Sequence, residues 1–228
     1  MAETIHEPLE RRPLASRSWK VSRLAAEKLA RAGASPNGIS MAGMAAGVLA
    51  GLLLASTSRI DEPWSRAAWL LGALFVQARL AANLLDGMVA VATGRTSPVG
   101  ELYNEVPDRI SDIATLAGLG YASGGHPVLG WAAASTAVLT AYVRAMGKAA
   151  GAPQDYRGPM AKPHRMFIVT VTALWCAFAP GGWGPAVGSG QWGPATLALA
   201  IIAVGSLITC LRRLRRAADV LRGLRGAP

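Results

Sequence analysis

The chain is short of cysteine, of aromatic side chains and of acid, and each shortage closes off a class of protein. Its 228 residues contain two cysteines, Cys176 and Cys210, and each lies inside a long apolar stretch. Two such thiols make neither a disulfide framework nor a metal cluster, so both are read as packing residues. Aromatic residues are only 6% of a chain that is 52% hydrophobic. Ala, Leu, Val and Gly carry the apolarity instead, the composition of helices that pack closely through small residues in a membrane. Acidic residues number 13 against 23 basic ones, for a net charge of +10. No zinc-finger spacing or RNA-binding signature accompanies that charge, so it does not point to nucleic acid. Residues 1–38 hold no apolar core of the kind a cleaved leader needs, so the apolar runs themselves are expected to direct insertion.

Those runs are the main feature that is present. They cover 39–56, 67–92, 113–122, 128–143, 166–180 and 195–211. Crossing a bilayer takes roughly 17–25 helical residues, so several runs need polar flanks that continue as helix. The charged stretch before 113 is one such flank.

Lys and Arg gather in alternate connections. Arg11, Arg12, Arg17, Lys20, Arg23, Lys28 and Arg31 precede the first run. Arg95 and Arg109 lie between the second and third, and Arg144, Lys148, Arg157, Lys162 and Arg165 between the fourth and fifth. Arg212, Arg213, Arg215, Arg216, Arg222 and Arg225 follow the last. The remaining connections hold Arg59 and Arg66, or no Lys or Arg at all. Cytoplasmic loops collect such residues, so the expected fold is an all-α membrane protein with six transmembrane helices. Both termini are expected inside, in a bacterial-type inner membrane. Trp64, Trp69, Trp131, Trp183 and Trp192 fall at or beside the outer ends, the headgroup level that Trp favours; Trp19 lies on the other side.

Ahead of the first run, 18–32 reads as an amphipathic helix, capped by Ser18 and ended by Gly33. Val21, Leu24, Ala25 and Leu29 share one face, and Lys20, Arg23, Glu27, Lys28 and Arg31 lie mostly around the other. A basic amphipathic helix beside a span is expected to lie on the inner leaflet. The expected organisation is a cytoplasmic segment 1–38, a six-helix domain 39–216 and a basic tail 217–228. The uncharged segment 181–194 reads as an outer loop.

The chemistry concentrates at 83–112. Asn83, Asp86 and Ala90 are spaced for one helical face, with Gly87 beside Asp86. Asn104, Asp108 and Asp112 are spaced for one face of the next helix. Gly94 and Pro98 break the chain between them. The pattern is a hairpin whose two polar faces meet at the cytoplasmic end, and oxygen ligands from two helices suit Mg²⁺ or Mn²⁺ and, through it, phosphate.

This stretch resembles the CDP-alcohol phosphatidyltransferase pattern D-x2-D-G-x2-A-R-x8-G-x3-D-x3-D. Asn83, Asp86, Gly87, Ala90, Val91, Gly100, Asn104 and Asp108 stand at its positions with every spacing kept. Asp86, Gly87, Ala90, Gly100 and Asp108 match in identity. Asn83 and Asn104 replace aspartates, and Val91 replaces the arginine. A shifted register would make Asp108 and Asp112 the final acidic pair, with Asn104 at the glycine position. Ser35-Pro36-Asn37 resembles the family's entry to its first span.

The resemblance implies a transferase that moves a phosphatidyl group from a CDP-linked lipid donor to a hydroxyl acceptor, phosphorylated or not, and releases CMP. It implies Asp108 as base and Asp86 as the surviving carboxylate ligand of Mg²⁺ or Mn²⁺. Asn83 and Asn104 would be neutral ligands and Asp112 an extra one. Gly87, Ala90 and Gly100 would make room for the nucleotide, with Arg95 in place of the missing arginine. Arg144 is the best placed of the basic residues for a phosphate or headgroup. Arg79, deep in the second run, reads equally as a partner for a buried carboxylate or carbonyl. The resemblance also implies a homodimer. The two asparagines leave a second reading, a non-catalytic descendant that binds nucleotide-lipid. A transporter would spread its polar groups along a path, whereas here they gather at one end.

Overall fold

The computed structural model describes residues 19–94, 99–180 and 192–225. Arg95, Pro98, the expected cap Ser18, Trp183 and most of the 181–194 segment lie outside the described residues. Seven helices follow one another: α1 (Lys20–Arg31), α2 (Pro36–Ser56), α3 (Trp64–Thr93), α4 (Gly100–Gly120), α5 (Pro127–Ala149), α6 (Lys162–Phe178) and α7 (Pro194–Arg225). No strand occurs among the described residues.

Local chemistry sets the helix ends. Ser35 caps α2 by accepting the Gly38 N–H at 3.0 Å, and Pro36 fills the first turn, where no donor is needed. α3 stops at Gly94, whose φ of 62° is left-handed, a conformation glycine adopts without strain. Gly33, with φ of 76°, ends α1 where the sequence places the stop. The charged stretch before residue 113 does continue that run as helix, and α4 begins at Gly100. α7 does not break at residue 217 but carries on to Arg225.

Six helices close into a ring. α2 packs on α3, α3 on α6, α6 on α7, α7 on α5, α5 on α4 and α4 back on α2. α1 lies beside α3, with Ala26 its buried residue. The ring's interior holds Leu54, Trp69, Val76, Leu116, Met166, Leu199 and Ile202. Many other buried positions are Ala, Gly, Ser or Thr. Large apolar side chains face outward instead, among them Leu52, Leu74, Val128, Phe167, Leu197 and Val204. A water-soluble bundle would pay heavily for that outer surface; lipid does not penalise it.

The closest approach is between α2 and α4. A Cβ placed on Gly118 would lie 2.2 Å from the Gly51 carbonyl oxygen, and one on Gly51 2.2 Å from that of Ala114. Only glycine at both positions lets these backbones touch. One turn nearer the charged end, Thr115 donates its hydroxyl to the Gly47 carbonyl at 3.2 Å.

Four helices, α2, α3, α5 and α7, are long and apolar enough to cross a membrane. α4 carries Glu101, Glu105, Asp108, Arg109 and Asp112, and α6 has 17 residues. Among the described residues, length and apolarity therefore identify four spans, where the sequence expectation is six.

Candidate active site

Packing of α2 on both α3 and α4 brings the polar ends of those two helices together. Asp86, on α3, is buried. Its Oδ2 accepts the Ser40 hydroxyl of α2 at 2.6 Å, and its Oδ1 accepts the Gly87 N–H at 2.5 Å. Asn83, one turn earlier, donates its amide Nδ2 to Asp108 Oδ1 at 2.7 Å. The expected meeting of the two polar faces is thus a hydrogen bond from α3 to α4. Asp108 is nearly buried, and its second oxygen, Oδ2, takes an ion pair from Lys162 at the start of α6. Arg109 adds a longer contact to the same oxygen at 3.6 Å. Asp86 lies within electrostatic reach of both Asp108 and Lys162.

Asp112 is fully buried, and both its oxygens are occupied. Arg79 of α3 pairs with Oδ1, and Arg165 of α6 with Oδ2 at 2.9 Å. Arg79 also donates to the Asp108 backbone carbonyl at 3.2 Å, and Arg165 to the Met160 carbonyl at 2.9 Å. Arg79 therefore partners both a carboxylate and a carbonyl. Asp112 pairs with Arg79 and Arg165 and is closed to a metal ion by these two guanidiniums. This triad ties α3, α4 and α6 together under the site.

The other expected residues are placed less tightly. Asn104 is exposed, one turn before Asp108. Gly87 and Ala90 are half-buried on the Asp86 face of α3, Gly100 opens α4, and Val91 is exposed. Arg144, at the end of α5, pairs with Glu105 Oε1 of α4 at 2.5 Å, and its guanidinium sits 5.1 Å from the centre of the Tyr156 ring. Lys148 reaches Glu101 at 2.9 Å.

In the loop after α5, Asp155 accepts the Arg157 N–H at 2.9 Å and pairs with Arg157 and Arg216. Burial pushes its carboxyl up, but the bonds from Arg157 and Arg216 outweigh that and hold it below the usual carboxylate range. Arg213 of α7 donates to the carbonyls of Arg157 and Thr140 at 3.1 and 2.9 Å. Arg165 also reaches the Thr140 hydroxyl at 3.4 Å, so Arg165 and Arg213 tie α6 and α7 to the same turn of α5.

Ser40 and the pairing of Lys162 with Asp108 are not visible in the motif. Ser40 is a lone hydroxyl near the start of an apolar run. Lys162 and Arg165 belong to a basic group that also satisfies the rule for cytoplasmic loops, which masks their individual partners.

The donor set fits one divalent ion. Asp86, whose oxygens accept from the Ser40 hydroxyl and the Gly87 N–H, would hold it from α3, with the Asp108 charge facing it from α4. It does not fit two. Asn104 is neutral and exposed, Asp112 is closed by two guanidiniums, and no group of three or more His, Cys, Asp or Glu side chains converges among the described residues.

These features define a helical membrane protein with a carboxylate site, walled by cations, at one end of its bundle. Residues 34–222 match the family model of the CDP-alcohol phosphatidyltransferases, and the chain belongs to that family. It is 31% identical over 205 residues to a phosphatidylinositol phosphate synthase of Mycobacteroides abscessus, covering 86% of this chain and 82% of the relative. An archaetidylinositol phosphate synthase of Aeropyrum pernix is 35% identical over 96 residues, which is 42% of this chain and 49% of the relative. Among solved structures, the phosphatidylinositol phosphate synthase of Mycobacterium tuberculosis with CDP-DAG bound superposes with a TM-score of 0.70. That match has 25% identity and covers 87% of this chain and 94% of the other. The same synthase, solved with manganese and citrate, gives 0.69 at 25% identity over 86% and 88%.

Proposed function

We propose that the chain transfers a phosphatidyl group from a CDP-linked lipid to the hydroxyl of a phosphorylated polyol of the inositol phosphate class. The observation that carries this reading is the pairing across the hairpin, with Asp86 and Asp108 on facing helices and Lys162 and Arg109 against Asp108. The synthases it resembles support the acceptor class.

Asp108 is the base. Asn83 and Lys162 hold its two oxygens and fix its orientation at the rim of the site. It takes the proton of the acceptor hydroxyl as that oxygen bonds to the lipid-side phosphorus of the donor. The bond from that phosphorus to the CMP oxygen breaks, and CMP leaves. A Mg²⁺ or Mn²⁺ bound at Asp86 would supply positive charge to the diphosphate as it divides. Gly87 and Ala90 offer a face of α3 with little side chain, on which the nucleotide can lie close to the backbone. Arg144 and its neighbours suit the acceptor's phosphate, since a guanidinium matches phosphate oxygens in shape.

In this reading α4 and α6 cross the membrane with the four longer helices, their charges turned into the ring. α1 lies on the inner leaflet, where the exposed Val21 and Leu24 would meet lipid. The site and both termini face the cytoplasm, and two chains pair as a homodimer. Mass spectrometry of the lipid formed from CDP-diacylglycerol tests the acceptor. Supplying inositol phosphate should give a phosphatidylinositol phosphate. A product only with glycerol phosphate or serine would reject the acceptor class and keep the transferase.

A further inference from the structure

We propose that the Lys162 ammonium supplies positive charge to the site, so that the centre operates with a single divalent ion and one lysine. This rests on the transferase reading above and adds a charge-bearing residue to it. Three observations converge on it.

The first is the loss of charge at the hairpin. Asn83 and Asn104 stand at two of the four positions where the pattern has aspartate, leaving Asp86 and Asp108. Two carboxylates neutralise one divalent ion; a second would bring two uncompensated positive charges into a site of low dielectric constant, where they repel strongly.

The second is the conformation of Asn83. Its amide nitrogen, not its oxygen, is turned to Asp108. A carboxylate at this position could only repel Asp108 unless a cation lay between them. Asparagine bridges the two helices directly, with the Arg79 guanidinium 3.7 Å from the same Asp108 oxygen.

The third is Lys162 itself. It reaches across from α6 to Asp108 Oδ2, and its side chain is only 20% exposed. Its stem is held in place because α6 is anchored three residues later through Arg165 to Asp112. An ammonium so held sets a fixed positive charge against Asp108, beside the bound diphosphate. A single point charge suits this role better than a guanidinium, which needs a planar pair of acceptors.

Titration of the purified full-length protein with Mn²⁺ alone, followed by electron paramagnetic resonance, tests the proposal. The wild type should bind one Mn²⁺ per chain. Lys162→Gln should bind Mn²⁺ about tenfold more tightly, because a positive charge next to the site is gone. Lys162→Met also removes the charge and should show the same tightening, which covers the case in which the glutamine variant fails to fold, whereas Lys162→Arg keeps the charge and should bind Mn²⁺ as the wild type does. Asn83→Asp/Asn104→Asp/Lys162→Gln should bind two. Two ions per wild-type chain, no binding at all, or unchanged affinity in Lys162→Gln would each overturn the proposal. None of these readings uses turnover. A protein that binds one ion and responds to Lys162 but releases no CMP would refute the transferase and leave this inference standing.

Discussion

Asp108 and Asp112 stand one helical turn apart and do opposite work. Asp108 sits at the rim with one oxygen toward Asn83 and the other toward Lys162. Asp112 is sealed between Arg79 and Arg165. Asp108→Asn removes the proposed base and keeps the shape, so turnover should fall at least about a hundredfold while the thermal midpoint moves little; assays of CMP release beside a melting curve check both. Asp112→Asn strips a buried carboxylate from two guanidiniums. Removing one partner of such a buried pair costs about 3–5 kcal/mol, so the loss should appear first as a lower melting temperature in detergent. The motif's spacing made Asp86, Asp108 and Asn83 legible as a group. It could not separate Asp112 from them, because i, i+4, i+8 spacing puts a residue on a face without saying what lies opposite. The arginines that close Asp112 come from residues 79 and 165, on two other helices, and only the packing of α3 and α6 against α4 brings them there.

Single helices carry further consequences. The α2–α4 contact depends on two glycines whose backbones touch. Gly118→Ala would push a methyl group against the Gly51 carbonyl, and overpacking of this kind costs about 1–3 kcal/mol. Because the same contact seats α4, which carries Asp108, against α2, activity should fall together with the melting temperature in this variant, whereas Asp108→Asn should separate the two. The loop between α5 and α6 gives a test by pH. Asp155 is held below its usual range by Arg157 and Arg216, so its contribution is complete above the ordinary carboxylate value of about 3.9. It declines as pH falls through that value toward the lowered one, where the folded carboxyl also takes a proton. Limited proteolysis of the loop should therefore accelerate in acid in the wild type. In Asp155→Asn it should be fast already at neutral pH and respond less to acid. The helix ends were legible because each has a local cause: Ser35 and Pro36 for α2, Gly94 for α3, Gly33 for α1. The length of α4 was legible in part. Its apolar half reads as a run, and its charged half reads as helix only once the motif places carboxylates at helical spacing.

For the molecule as a whole, the sequence carries the alternation of apolar runs and basic connections, and the structure turns it into a closed ring of six helices. The order of the ring was not legible. Which runs neighbour one another depends on small-residue contacts such as Gly51 with Gly118, and a stripe of glycines does not name its partner. The span count rests on the same physics. α4 and α6 are too charged or too short to be recognised alone, and they reach the bilayer only if the ring shields their ionic triad from lipid. Cysteine-accessibility labelling of intact cells should find introduced cysteines near residues 60 and 125 reactive from outside and those near 33 and 152 protected, as six spans require. A four-span arrangement, with α4 and α6 outside the membrane, would break that pattern.

The central claim is that this site, with its two asparagines, still performs the transfer. Its most direct test is CMP release by the purified protein from CDP-diacylglycerol, with Mg²⁺ or Mn²⁺ and inositol phosphate, beside Asp108→Asn. The account predicts metal-dependent CMP formation in the wild type and its loss in the variant. CMP release undiminished in Asp108→Asn, or no release from a wild type that binds the CDP-lipid, would contradict it.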